Sequence, residues 1–349
     1  MKEYGSDFHY INPSPPEGKT IYDLFPSANY YADGRQALIH LYNTQNWERL
    51  WLPEYYCYEV VNSLKRAGLE LCFYKDYPGN NDDSLALTSL QDQGALKPKD
   101  AILRVNFFGL RSYRSPKPFS VAVIEDHTHD IIGGWSIGSQ ADWCIASLRK
   151  SLPIPEGGIL WSPTGLELPT PPERSAKNEQ IGKIRWEAMI LKSKYLANYK
   201  VTKSSFRERF ITTEEFFDTS PVCSLDETSR YFLQSFSIHD WYNKKRMNWD
   251  HLRDIERNGV HVFGIEDNGC YPFSLVLLFD APKERDRVRI ALIEKNVYPA
   301  VLWTIPRISD NRLYQLSRRI LSIHCDARYS QEDILVLRSI IESTITLHD

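Results

Sequence analysis

Two stretches decide the fold: Ser120-Val121-Ala122-Val123-Ile124-Glu125-Asp126 and, after a polar interval, Asp142-Trp143-Cys144-Ile145-Ala146-Ser147-Leu148-Arg149-Lys150. Each is a short apolar run that stops abruptly at polar residues. Runs of this length and composition read as strands buried on both faces. Outward from this pair, Ala101 to Phe108 forms another such run ending at Gly109, and Gly158 to Trp161 a further one. Arg49 to Pro53 and Leu69 to Tyr74 add two more. Between these two, Glu59 to Ala67 has helical periodicity and stops at Gly68, a C-terminal signal. Apolar positions 37, 38, 41 and 42 recur at helical spacing behind an Asp33-Gly34 turn. Strands alternating with helices predict an α/β domain built on a large, mostly parallel, three-layer sheet.

Beyond residue 180 the pattern changes. Residues 180–215 are polar and helical, and a second long helical stretch covers about 225–258. Phe273 to Phe279 and Val297 to Trp303 read as strands, with helices near 283–295 and 331–345. This predicts a smaller C-terminal α+β domain over 236–349, after a large domain over 1–235. The first twenty residues, with Pro13, Pro15, Pro16 and Gly18, read as a loose N-terminal arm.

Bulk properties narrow the function classes. At 349 residues and 42% hydrophobic, the chain can bury a large core without metals or disulfides. A net charge of -3 with no long run of one sign does not fit a nucleic-acid binder. No stretch approaches the roughly 18 apolar residues of a membrane span. The opening Met1-Lys2-Glu3-Tyr4 lacks the apolar core of an export signal. The six cysteines form no Cys-x-x-Cys pair and read as buried small hydrophobes in a reducing compartment. The cytoplasm is the expected location.

Parallel sheets gather functional groups beyond the carboxyl ends of their strands. Asp126 and the segment leading to Lys150 both fall there. Desolvation at Lys150 would lower an amine pKa and favour imine formation with a carbonyl cofactor; the position also suits an ordinary surface lysine. Ser147 could bond a phosphate. Asp126 could pair with a protonated pyridine nitrogen. His127 and His129, two apart, would share a strand face, and with Asp126 they suggest metal ligands. No further His or Cys lies nearby in sequence to complete a set, so no metal site is assigned. Gly34-Arg35 at a helix start suits a phosphate. The run Tyr55-Tyr56-Cys57-Tyr58 offers aromatic faces for a flat ring, or simply interface packing.

The order of these segments resembles the DegT/StrS family of PLP (pyridoxal 5'-phosphate) enzymes of fold type I. Gly-Arg-x-Ala-Leu comes first, then Leu-Pro-x-Tyr-x-Cys, Phe-Phe-Gly, Ile-Glu-Asp, and Ser-x-x-Lys with Gly-Gly. The likeness covers roughly 30–165 and 295–345, closing with Ile320 to His324 and Tyr329 to Ile334. It implies that Lys150 is the Schiff-base lysine and proton shuttle, Asp126 the pyridine-nitrogen partner and His129 a neighbour of the phenolic oxygen. Ser147, Gly34 and Arg35 would hold the phosphate. The ring-covering residue falls among Tyr56, Cys57 and Tyr58, with Tyr56 preferred. The family's Gly-Tyr-Asn stretch, which reaches a partner subunit's phosphate, has no match between 175 and 215. Lysine at 150, where the family's dehydratase branch has histidine, points to transamination.

The resemblance implies a homodimeric aminotransferase that moves an amino group, with glutamate as donor, to a keto group of a sugar nucleotide or similar polar metabolite. Polysaccharide or natural-product biosynthesis would be its setting. The alternatives are a PLP-dependent dehydratase or other eliminating enzyme, and a non-catalytic binding module on the same fold.

Overall fold

The structure is a computed structural model, described over residues 2–13, 18–80, 83–114, 119–217, 219–255, 259–307 and 310–346. Its strands are β1 (Tyr4–Gly5), β2 (Asn29–Tyr31), β3 (Arg49–Pro53), β4 (Leu71–Tyr74), β5 (Asp100–Val105), β6 (Ala122–Asp126), β7 (Trp143–Ser147), β8 (Gly158–Trp161), β9 (Val260–Val262), β10 (Leu275–Phe279), β11 (Val297–Tyr298) and β12 (Ile320–Ile323).

Seven strands form one mixed sheet in the order β2-β8-β7-β6-β5-β3-β4. Within it β8 alone opposes its neighbours, pairing antiparallel with both β7 and β2. The other pairs, from β7 across to β4, are parallel. Helices cover both faces. On one, Ala37, Leu38 and Leu41 of helix Gly34–Gln45 and Val61 and Leu64 of helix Tyr58–Arg66 pack on Leu52, Leu103 and Ile124. On the other, Trp186, Met189 and Phe206 from helices Ala176–Leu196 and Lys203–Phe217 meet Val123, Ala146 and Ile159. The predicted three-layer α/β architecture is the one observed.

A second sheet, β12-β10-β9, is wholly antiparallel and packs with helices Pro282–Glu294 and Gln331–Thr346. Helix Ile238–Asp250 touches both cores, placing Trp241 in the large one and Trp249 in the small one.

Several expectations need correction. The arm is not loose over its described part: β1 pairs in parallel with β11, and the Tyr10 N–H donates to the Met189 carbonyl at 3.0 Å. Its Pro15-Pro16 portion lies outside the described residues. The run Ala101 to Phe108 stops being a strand at Val105. There the Asn106 side chain accepts from the Arg111 N–H, and Phe108 turns to φ 59°. The long helix over 225–258 is two helices, Glu227–Gln234 and Ile238–Asp250: the first stops at its C-cap Ser235, and Ser237 caps the second; residues 256–258 lie outside the described residues. Of Val297 to Trp303 only β11 is strand.

Candidate active site

Six of the seven large-sheet strands point their carboxyl ends the same way, and one cavity opens at that edge. Gly34, Arg35, Tyr56, Asp126, His129, Ser147 and Lys150 all line it. The seven positions singled out from sequence are therefore brought together by four separate stretches of chain.

Helix Gly34–Gln45 starts at Asp33, whose carboxylate accepts the Gln36 N–H at 2.9 Å. Its first turn, with the positive end of the helix dipole, faces Ser147. A Cβ on Gly34 would lie 3.1 Å from the Ser147 Cβ, so glycine permits this approach. The Ser147 N–H donates to Thr128 Oγ1 at 2.9 Å, and Ser151 Oγ donates to the Thr128 carbonyl at 2.9 Å. Thr128, unnoticed in sequence, thus ties the end of β6 to the turn that carries Lys150. No hydrogen-bond or ion-pair partner holds Lys150 among the described residues.

Asp126 ends β6 and is buried. Its Oδ1 accepts the Thr128 N–H at 2.9 Å and its Oδ2 accepts the Tyr56 hydroxyl at 2.8 Å. No cation lies within ion-pair distance of it among the described residues. Burial, and then the Asp126 charge, push the Tyr56 phenol well above its ordinary pKa, so its hydroxyl stays a donor. Cys57 also lines the cavity; Tyr58 does not.

His129 sits in an aromatic box. Trp303 stacks on it at 5.4 Å between ring centres, and Phe273 lies 4.6 Å away. Burial, then the charge of Lys150, keeps its pKa well below 6.5, so the ring is neutral. Its Nδ1 accepts the Phe108 N–H at 3.0 Å, which puts the ring proton on Nε2. That buried Nε2 has no partner among the described residues. Trp303 is both core and cavity wall.

His127 and His129 do not share a face, because β6 ends at Asp126 and the chain turns between them. His127 lies behind the sheet, where its Nε2 is 3.0 Å from Glu125 Oε2. Ser139 Oγ donates to the same oxygen at 2.7 Å, and Cys144 Sγ lies 3.9 Å from it. Glu125, His127 and Cys144 could bring ligand atoms within 4.8 Å of one another. Donors converge on Glu125 Oε2, while Oε1, with Arg104 Nη1 at 3.8 Å, and His127 Nδ1 have no hydrogen-bond partner among the described residues.

Arg35 and Arg149 line the cavity, and Arg185 lines the space beyond it. Arg35 Nη2 bonds Asp33 at 3.1 Å, Arg149 grips Glu214 at 2.6 and 3.2 Å, and Arg185 reaches Glu214 at 3.3 Å. Burial would raise the Glu214 pKa, but the charges of Arg149 and Arg185 hold it at about 2. Burial, then the Arg149 charge, push Arg185 down to about 10. Beyond Lys150 and His129 lies a second chamber of about 650 Å³, also lined by Arg149, Arg185, Lys203 and Arg207.

No family model matches the chain, and no curated protein matches it in sequence. Solved structures do. A Streptococcus pneumoniae protein described as a sugar aminotransferase, in its PLP form, superposes with a TM-score of 0.61 at 10% identity, covering 99% of each chain. An aminotransferase of the DegT/DnrJ/EryC1/StrS family from Brucella abortus gives 0.57 at 14%, covering 95% of this chain and 92% of its own. DesI, solved with its TDP-sugar product, gives 0.58 at 14%, covering 94% and 83%. The chain thus has the fold-type-I architecture of PLP-dependent transferases. The Brucella abortus structure is of the DegT/StrS kind that the sequence resembles.

Proposed function

We propose that this protein is a PLP-dependent aminotransferase acting on a polar, anionic keto substrate of the sugar-nucleotide kind, with glutamate as amino donor. The observation that carries the reading is one cavity shared by the Lys150 amine, the Asp126 carboxylate and His129 Nε2, which among the described residues have no ion-pair partner, no cation and no hydrogen-bond partner respectively.

The residues fit PLP group by group. A buried carboxylate without a cation is costly, and Asp126 would meet a protonated ring nitrogen. The His129 Nε2–H is a free donor for the phenolic oxygen. The Gly34 helix start, Ser147 and the neighbouring arginines suit a phosphate. Tyr56 and Trp303 supply aromatic walls. When bound, PLP supplies the electron sink that labilises the substrate's amine-bearing carbon.

The chain's own residues do the rest. Lys150 Nζ tethers the cofactor and moves a proton to and from the substrate carbon facing it. Asp126 and His129 fix the ring in its plane. The second chamber, with Lys203 and Arg207 among its walls, focuses a positive field on entering substrate. That field favours a phosphate-bearing keto compound over a neutral one. A homodimer working in the cytoplasm belongs to the same reading.

The test is an absorption spectrum of PLP-treated wild type beside Lys150→Ala, followed by addition of glutamate. We expect a visible band in wild type only, replaced on glutamate addition by the stable spectrum of the amine form. Turnover of Lys150→Ala should fall about 10²–10⁴-fold for loss of the proton shuttle alone. A band identical in both proteins would sink the assignment of Lys150. A band that never converts to the amine form with any amino donor would favour elimination chemistry or a binding module.

A further inference from the structure

Asp126 is held in an unusual way for a buried carboxylate. It is 8% exposed and Tyr56 is 3% exposed, and no charged group pairs with it among the described residues. Its two hydrogen bonds differ in kind. The Thr128 N–H belongs to the backbone turn immediately after Asp126 and is supplied whatever the side chains are. The Tyr56 hydroxyl is the side-chain donor, brought from the segment after β3 at 2.8 Å.

The last torsion of an aspartate is broad and weakly preferred, so one backbone donor leaves the carboxylate plane free to swing. The second donor fixes it. Each oxygen still keeps a lone pair in hand. Tyr56 is itself pinned. Its ring meets Trp303 edge-on at 6.0 Å, and the neighbouring Tyr55 hydroxyl donates to the Leu302 carbonyl at 2.8 Å.

Resting on the PLP assignment above, we propose that Tyr56 is a positioning residue: its hydroxyl locks the Asp126 carboxylate in the plane that meets the cofactor's ring nitrogen. Its contribution goes through Asp126, not only through an aromatic face. Phenylalanine would keep the face and lose the lock.

The test titrates PLP into cofactor-free protein and reads both the dissociation constant and the position of the visible band, which responds to charge at the ring nitrogen. The proteins are wild type, Tyr56→Phe, Tyr56→Leu, Asp126→Asn and the Tyr56→Phe/Asp126→Asn pair. A hydrogen bond to a charged group implies about tenfold weaker binding for Tyr56→Phe, with Tyr56→Leu little worse. The band should move in the same direction as in Asp126→Asn. In the Asp126→Asn background, Tyr56→Phe should cost almost nothing further, because the two act as one unit.

Tyr56→Phe with wild-type affinity and band would overturn the proposal, as would equal losses with and without Asp126. If Tyr56→Phe does not fold, Tyr56→His, a smaller ring that keeps an N–H donor, replaces it; His binding no better than Leu would likewise overturn the proposal. Wild type that takes up no PLP would instead sink the cofactor assignment, and this inference with it.

Discussion

Gly158 meets backbone at close range beside the Asp33-Gly34 turn, and Gly158→Ala should damage the fold and the proposed cofactor cup together. A Cβ there would lie 2.2 Å from the Asp33 carbonyl carbon, 2.3 Å from its oxygen and 2.6 Å from the Gly34 nitrogen. Carbon atoms in contact sit about 3.5–4.0 Å apart, so β8 and the Asp33-Gly34 turn must separate by roughly 1–1.5 Å. Neither can yield freely. The Gly157 N–H donates to the Ala32 carbonyl at 2.6 Å, and the Leu148 N–H donates to the Gly157 carbonyl at 2.8 Å. Overpacking costs about 1–3 kcal/mol, and two weakened backbone hydrogen bonds add about 1 kcal/mol each. The expected loss is about 3–5 kcal/mol. At roughly 2 °C per kcal/mol for a chain of this size, the melting temperature should drop by about 6–10 °C. Urea unfolding of cofactor-free protein measures the first quantity, and PLP titration of the folded fraction should show weakened binding. Gly134→Ala is the control: its nearest neighbour would be 3.9 Å away, and it should stay within about 0.5 kcal/mol of wild type. If Gly158→Ala unfolds within 1 kcal/mol of wild type, the close approach is not rigid and the reasoning fails.

The buried Arg104–Asp83 pair, with bonds of 2.8 and 2.9 Å, predicts that Arg104→Met destabilises by about 3 kcal/mol or more, because among the described residues Asp83 would keep only Arg114, at 3.9 Å, as an ion-pair partner. Replacing Asp83 with Leu as well should restore most of that in urea unfolding; no recovery would contradict the account. Burial would raise the Asp326 carboxyl, but Arg328, bonded to it at 2.8 and 2.9 Å, holds it at about 2. Its folded pKa lies below the unfolded value near 3.9. The pair's stabilisation, on the order of 2–3 kcal/mol, is therefore full above about pH 4–5 and is lost as pH falls towards 2. Acid titration of stability should be flatter in that window for Asp326→Asn; an unchanged slope would count against the pairing.

Much of the site was legible because its parts lie at ends of strands whose hydrophobicity declares them. Lys150, Ser147 and Asp126 stand just past β7 and β6, where an apolar run stops. Gly34 stands at a capped helix start. Thr128 was not legible in its role, nor was the route by which Trp303 reaches the cavity. Thr128 acts through a hydrogen bond to a residue on another strand, and Trp303 comes to the cavity from far along the chain. The two histidines were misread for a related reason: a period-two argument holds only while the chain is a strand, and β6 ends at Asp126.

Local pattern alone determined the alternation of strands and helices, the mostly parallel sheet and the edge at which function gathers. These follow from short-range periodicity and from which residues start or stop an element. Only the packed structure decided that the N-terminal residues pair with β11, that Tyr56 donates to Asp126, and that Arg149 and Arg185 share Glu214. Those contacts join residues far apart in the chain. Their geometry is set by how helices and strands pack against one another, and no local propensity encodes that.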